Sequence, residues 1–341
     1  MRVGESMGPM RPTNDLIQAS ARGLYCEAGN FYIDPWGPVE HAVITHAHGD
    51  HLHAGSAEYY LSSAGMGVAR RRLPAQSQLV PVHYGESIVL GDTRVSLHPA
   101  GHILGSSQVR VEYGDQVWVV SGDYKRDPDP TCQLFEVVPC DVFISEATFA
   151  LPAYRWPEAS TVALEILDWW HTNREHGVAS VLFAYALGKA QRVLAELSAH
   201  TSDSVYVHGA VASLVDAYRD AGVSMLATVP ATVSAPTDYA GALVLAPPSA
   251  AGSPWMRRFR EHRTGFCSGW MRIRGDRRRR GYDRGFVLSD HADWPSLLRT
   301  FSETGAKRIL LTHGYTDAMC RYLLEQGVNA AALRTEYGAE E

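Results

Sequence analysis

Three histidines and an aspartate crowd into six positions of "ITHAHGDH" (44–51): His46, His48, Asp50 and His51. Two histidines two apart on an extended segment point the same way and can share one metal ion. Asp50 and His51 lie beyond the turn at Gly49 and can face a second. One zinc ion is satisfied by three or four ligands, and this turn alone supplies four. His41 and His53 flank the group and read as non-ligating. Two ions 3.5–4 Å apart clamp the attacking and leaving oxygens of a displacement and acidify a bridging water. That chemistry suits hydrolysis, above all of phosphodiesters, whose barrier is high.

Such residues need elements that bring them together. Seven short apolar runs each deliver an acid or a histidine: "NFYID" to Asp34, "HAVITHAHGDH" to the histidine turn, "VSLHPAGH" to His102 and "QVWVVSGD" to Asp123. "DVFISE" ends at Glu146, "GFVLSDH" at His291 and "RILLTH" at His313. Runs of this length bounded by Gly, Asp and Pro predict buried strands. Seven strands ending this way predict one sheet edge that gathers their loops into a site, with enough further His and Asp residues for two ions sharing a carboxylate. Between Glu146 and His291 the texture changes. "STVALEILDWWHTNREHG" (160–177), "GKAQRVLAELSAH" (188–200) and "GAVASLVDAYRDAG" (209–222) predict amphipathic helices, alternating with the strand-like "SVLFAYAL", "DSVYVHG" and "GALVLAPP". Ligand-bearing strands resume afterwards, so a β/α domain inserted into the first is expected.

The 341 residues suit two domains, and 45% hydrophobic with 20% charged residues is the make-up of a globular protein. No apolar run approaches the roughly 20 residues of a membrane span. The opening "MRVGESMGPMRPTND" has no signal-peptide core and is expected to be a loose extension, with the cytoplasm as the default compartment. Five scattered cysteines without a Cys-x-x-Cys pair predict neither a disulfide framework nor a thiolate zinc knot. A net charge of −6 gives no global pull on nucleic acid, but arginines cluster at 70–72 and again at Arg272, Arg274, Arg277, Arg278, Arg279 and Arg280.

The His-x-His-x-Asp-His turn, with Asp34 before it and His102 and Asp123 after it, resembles the metallo-β-lactamase superfamily. The resemblance implies an α/β fold, an αββα sandwich with its metals at one edge. It implies one metal on His46, His48 and His102, another on Asp50, His51 and His313, Asp123 bridging, and Asp34 orienting the ligand loop. "ISEATF", "LSDHAD" and "LTHGY" around an inserted domain, with "LGKAQRVL" opening one of its helices, are similar to the nucleases of the β-CASP branch. That match implies His291 as general acid, with Glu146 holding its ring. The expected division is 1–150 and 263–341 for the metallo-β-lactamase domain and 151–262 for the β-CASP insertion. "GLYCEAGNFYIDPWGPVEHAVITHAHGDH", "SGDYKRDPDPTC", "YRWP", "YALGKAQRVL" and "HGAV" look like the bacterial ligase-associated DNA exonucleases, encoded beside an ATP-dependent DNA ligase and a helicase. The resemblance departs at Ala150, His53 and Ala54, none of them a ligand position.

The resemblance implies a two-metal DNA exonuclease acting in repair, using Zn²⁺ or Mn²⁺, with 5′→3′ polarity by analogy. DNA phosphates are expected to meet the arginines of 272–280 together with Lys125 and Lys189, the latter at a predicted helix start. His313 points the other way: it resembles the RNA-processing branch, since the cross-link-repair branch typically lacks a histidine there. The alternative is therefore a ribonuclease of the same fold. An inactive nucleic-acid-binding scaffold leaves the full ligand set unexplained, and a small-molecule hydrolase has no use for the inserted domain.

Overall fold

The computed structural model describes residues 15–231, 239–273 and 281–333. The first sheet is laid down in chain order by β1 (Gln18–Ser20), β2 (Gly23–Cys26), β3 (Phe31–Ile33), β4 (His41–Val43), β5 (Glu58–Ser62) and β6 (Gln78–Val82). The second begins with β7 (Ser87–Leu90), β8 (Thr93–Pro99), β9 (Ser107–Tyr113), β10 (Gln116–Val120) and β11 (Val142–Glu146). It is completed far along the chain by β18 (Arg308–Thr312) and β19 (Ala330–Ala332). The strand runs anticipated in the sequence are thus all strands, and their alternation explains the layers.

Side chains of period two split each strand between two faces. Val43, Ile33, Val120, Ile144 and Leu310 point between the two sheets and share one core with Phe31, Leu97, Val109 and Trp118. The opposite face of the second sheet, with Val119, Phe143, Ile309 and Leu311, packs on the helices Trp294–Glu303 and Thr316–Glu325 through Leu297, Phe301, Met319 and Leu323. The outer face of the first sheet, with Ala42, Ile44, Tyr59 and Leu61, packs on α1 (Met66–Arg72) through Val68 and Ala69. Helices therefore cover both outer faces of two stacked sheets: an αββα sandwich.

Strands β11 and β18 are parallel neighbours, Val142 beside Arg308 and Glu146 beside Thr312. Between them the chain builds a third sheet of six parallel strands in the order β14-β13-β15-β12-β16-β17. These are β12 (Ala179–Phe183), β13 (Val205–Val207), β14 (Thr228–Pro230), β15 (Leu243–Ala246), β16 (His262–Cys267) and β17 (Arg284–Phe286). The sheet thus continues past residue 262 as far as Phe286. Its helices α2 (Ala159–Glu175), α3 (Lys189–Ser198) and α4 (Gly209–Asp220) fall where helical spacing predicts them. Trp169, Trp170, Val193, Leu194 and Val211 seal them against the strands. Helix α4 also reaches the outer face of the first sheet, where Leu214, Ala217 and Tyr218 join the α1 cluster. All five cysteines are free. Among the described residues no helix is long and apolar enough to cross a membrane.

Candidate metal centre

Strand direction gathers the site. β3 and β4 are parallel, as are β10, β11 and β18, so Asp34, the histidine turn, Asp123, Glu146 and His313 all emerge at or just past C-terminal strand ends. The third sheet sends His291 to the same place from beyond β17.

Asp34 organises the turn. Its backbone lies in the left-handed region (φ 44°), which Asp tolerates better than most residues. Its carboxylate accepts the Thr45 N–H at 2.7 Å and the Thr45 hydroxyl at 2.5 Å, and holds His51 Nδ1 at 2.7 Å. Thr45 Oγ1 in turn lies 3.0 Å from His46 Nδ1. The other rings are held the same way. His48 Nε2 donates to the Leu187 carbonyl at 3.2 Å, and His102 Nδ1 to the Asp290 carbonyl at 2.7 Å. Each bond fixes one ring nitrogen and turns the other inward, as second-layer partners of metal-bound histidines do.

The inward atoms converge. His46 Nε2 and His102 Nε2 each lie 3.1 Å from His48 Nδ1. Asp123 Oδ2 lies 3.4 Å from His46 Nε2 and 3.7 Å from His102 Nε2. Four ligands on a tetrahedral ion at 2.0–2.1 Å are separated by about 3.4 Å, so the donor set fits such an ion. A second group joins Asp50, His51 and His313. Asp123 Oδ2 is also 3.6 Å from His51 Nε2, which places this oxygen between the two groups. Asp123 Oδ1 is buried without a hydrogen-bond partner, an acceptor left for a cation. The site supports binding of divalent metal.

The electrostatics of four of the five rings agree. Burial, reinforced by the neighbouring imidazoles, holds His46 and His102 well below the ordinary histidine range. Burial also brings His48 to about 4, against the pull of Asp50, and His313 to about 4 with help from His51. Neutral imidazole is the form a metal requires. For His51 burial works the same way, but Asp123 and Asp34 outweigh it and raise the ring to about 10. Burial and then Glu146 push Asp123 up to about 7, against the pull of His51.

On a third side, Asp123, Glu146 and His291 form another close group. Glu146 accepts the Tyr124 N–H at 2.7 Å with one oxygen and holds His291 Nδ1 at 2.9 Å with the other. Burial opposes charge on His291, but Glu146 and Asp123 prevail and raise the ring to about 9.

No family model matches the chain. A probable DNA ligase of Opitutus terrae is 31% identical over 322 residues, which are 92% of this chain and 30% of the ligase. Endoribonuclease ysh1 of Schizosaccharomyces pombe is 29% identical over 124 residues, 36% of this chain and 16% of that protein. Transcription termination factor FttA of Lokiarchaeum is 26% identical over 143 residues, 39% of this chain and 22% of the factor. These relatives support the resemblance to the β-CASP nucleases that the motifs carry. It spans less than a third of the length of each of these relatives. A solved structure of a protein of unknown function from Enterococcus faecalis V583 shares the fold, with a TM-score of 0.57 at 13% identity over 87% of this chain and 80% of that one.

The chain brings every anticipated ligand position together, and two anticipated DNA contacts fail. Lys125 is 1% exposed and paired with Asp129, and Lys189 is 3% exposed and 2.8 Å from Asp290. Cations buried against carboxylates do not reach a phosphate backbone. Arg272 is exposed. Arg274, Arg277, Arg278, Arg279 and Arg280 lie outside the described residues. Sequence reasoning missed Thr45, whose hydroxyl ties Asp34 to the turn, and the Leu187 and Asp290 carbonyls, because a backbone acceptor leaves no mark in residue type.

Proposed function

We propose that the protein is a two-metal-dependent DNA exonuclease that hydrolyses phosphodiester bonds in DNA repair, with 5′→3′ polarity. The observation that carries the proposal is Asp123 Oδ2 lying between two histidine-rich donor groups, with the His291–Glu146 pair on a third side. Support for DNA comes from the ligase relative, whose alignment spans 92% of the chain, while that with the endoribonuclease of S. pombe spans 36%. The ligase relative likewise supports working association with an ATP-dependent DNA ligase. A helicase partner and a cytoplasmic location rest on the resemblance alone. In this reading residues 1–150 and the chain beyond the third sheet form the catalytic sandwich, and the β-CASP insertion begins at 151 and closes after β17.

One ion would sit on His46, His48 and His102, the other on Asp50, His51 and His313, with Asp123 shared. Zn²⁺ suits the histidine-rich set and Mn²⁺ is the second choice. Bound ions would supply Lewis acidity to water and neutralise charge on the phosphate. The chain's own residues do the rest. Water oxygen bonds to phosphorus and loses a proton to solvent, while the bond from phosphorus to the leaving sugar oxygen breaks. His291 donates its ring proton to that oxygen, and Glu146 orients the ring and favours its charged form. Asp34 touches no substrate and acts by holding Thr45 and His51.

Arg272 and the arginines of 274–280 remain proposed phosphate contacts, and Arg72 joins them. This exposed side chain ends the first helix, and a Cβ placed on Gly49 would stand 3.1 Å from its Nη2. Gly49 is not among the positive-φ glycines, and the exposed Arg72 side chain is the one neighbour a Cβ there would meet.

A ribonuclease is the second reading, favoured by His313 and by the endoribonuclease relatives. DNA and RNA strands of one sequence, labelled at either end and incubated with Zn²⁺ or Mn²⁺, separate the two. Stepwise loss from a DNA 5′ end is expected. Intact DNA beside degraded RNA refutes the DNA proposal, and shortening from the 3′ end refutes the polarity.

A further inference from the structure

Behind the metal groups lies a buried ionic network that the hydrolytic steps leave unused. Arg192, 3% exposed, has its Nε 3.3 Å from Asp129 and 3.5 Å from Glu196 as ion pairs without a hydrogen bond, and its Nη1 donates to the Asp290 carboxylate (3.4 Å) and the Ser289 carbonyl. Lys189 Nζ meets the same Asp290 oxygen at 2.8 Å, and Lys125 closes the far end on Asp129. Three cations thus face three carboxylates. Burying such groups is expensive, and apolar residues of like volume often serve stability as well or better. The arrangement therefore asks for a use beyond stability.

Its position supplies one. Lys189 and Arg192 stand on α3, the first helix after β12 of the third sheet, and Asp290 stands in the loop after β17. The Asp290 carbonyl holds His102 Nδ1 at 2.7 Å, and the next residue is His291. The start of α3 is also pressed onto the His102 loop. Gly188 has φ 86°, and a Cβ on it would stand 2.3 Å from Ile103 Cγ2. A glycine is needed there on both counts. One helix of the insertion thus grips two loops of the site, by close approach at Ile103 and by charge at Asp290.

We propose that Lys189 and Arg192 are positioning residues that clamp the 289–291 loop so that the Asp290 carbonyl orients His102 toward the metal group it shares with His46 and His48. The insertion then helps complete the metal centre and steadies the loop that carries His291. Loosening a partner of a metal-bound histidine typically costs 10–100-fold in metal affinity. The inference rests on the proposed metal centre.

The test is metal titration, against a competing chelator, of the full chain as wild type, Asp290→Asn, Lys189→Met and Asn173→Ala. Asn173 is buried in the same insertion but bonds Ser180 and stands outside the network. Thermal unfolding of the metal-free proteins and oligonucleotide kinetics accompany it. Two ions on wild type are expected, with one weakened 10–100-fold in Asp290→Asn and Lys189→Met and unweakened in Asn173→Ala. In the two network variants kcat should fall while KM holds. Equal metal affinity across all four proteins, or equal weakening in Asn173→Ala, overturns the proposal as an effect of stability alone. Fewer than one ion on wild type instead refutes the metal centre, a result the wild-type titration gives separately.

Discussion

Glu146→Gln is the most informative single change at the site. Glutamine keeps the shape but only one acceptor oxygen, so it can serve the Tyr124 N–H while its amide NH2 faces His291 Nδ1, and the charge is gone. Burial alone would depress His291, so its rise from 6.5 to about 9 is the work of the carboxylates, Glu146 first. That rise corresponds to about 3 kcal/mol in favour of the imidazolium. The sign follows directly. The proton-donating form is present below about 9 and is lost as pH rises through it; without Glu146 the ring falls toward the ordinary histidine value, with Asp123 and Asp290 still pulling it upward. At pH 8 a ring with a pKa of 9 is about 90% protonated, and one at 6.5 about 3%. The variant should therefore lose up to roughly 20-fold more activity between pH 6 and pH 8 than wild type does. The assay is kcat on a single-stranded oligonucleotide at saturating metal, from pH 5.5 to 9.5. An alkaline limb that moves down by up to about 2.5 pH units supports the assignment. A loss of rate by the same factor at every pH would refute it and leave Glu146 a purely structural group.

Three further outcomes follow from the same geometry. His48→Ala and Asp50→Ala each remove a donor from one of the two groups, so each should bind one ion fewer and lose several orders of magnitude in turnover; elemental analysis and initial rates check this, and full metal content in either would contradict it. Arg72→Ala should weaken oligonucleotide binding and lower the slope of log affinity against log salt by about 0.7–0.9, measured by fluorescence anisotropy, with metal content at the wild-type level; an unchanged slope returns Arg72 to the solvated surface. Trp170 is 1% exposed, packs in the core of the insertion and donates its indole N–H to the Gly241 carbonyl. Trp170→Ala should cost about 3–5 kcal/mol in chemical denaturation, and a cost below about 1 kcal/mol would mean that the layer does not pack as described.

The site was legible where chemistry is written in residue type. The turn at 46–51 announces itself by four donors in six positions, and Asp123, Glu146, His291 and His313 by standing at the ends of apolar runs. The strands were equally plain, but not their faces: Ala42, Val43 and Ile44 are all apolar, yet Val43 faces one core and Ala42 and Ile44 another. What stayed hidden depends on partners distant in the chain. Lys189 reads as a phosphate contact at a helix start, because periodicity cannot reveal that α3 is buried along its polar side by Asp290, a hundred residues away. The helix Trp294–Glu303 did carry a local signal: Asp293 caps it by accepting the Ser296 N–H, and Pro295 stands in its first turn. The strand "HRTGFC" has no run of apolar residues, so the sequence did not reveal that the sheet continues past the boundary expected at 262.

The central claim is that two ions flank one carboxylate oxygen. Anomalous diffraction from crystals grown with Zn²⁺ or Mn²⁺ tests it directly. Two peaks about 3.5–4 Å apart, one among His46, His48 and His102 and one among Asp50, His51 and His313, with Asp123 touching both, are the expected result. A single peak, or a pair that leaves Asp123 uncoordinated, would contradict it.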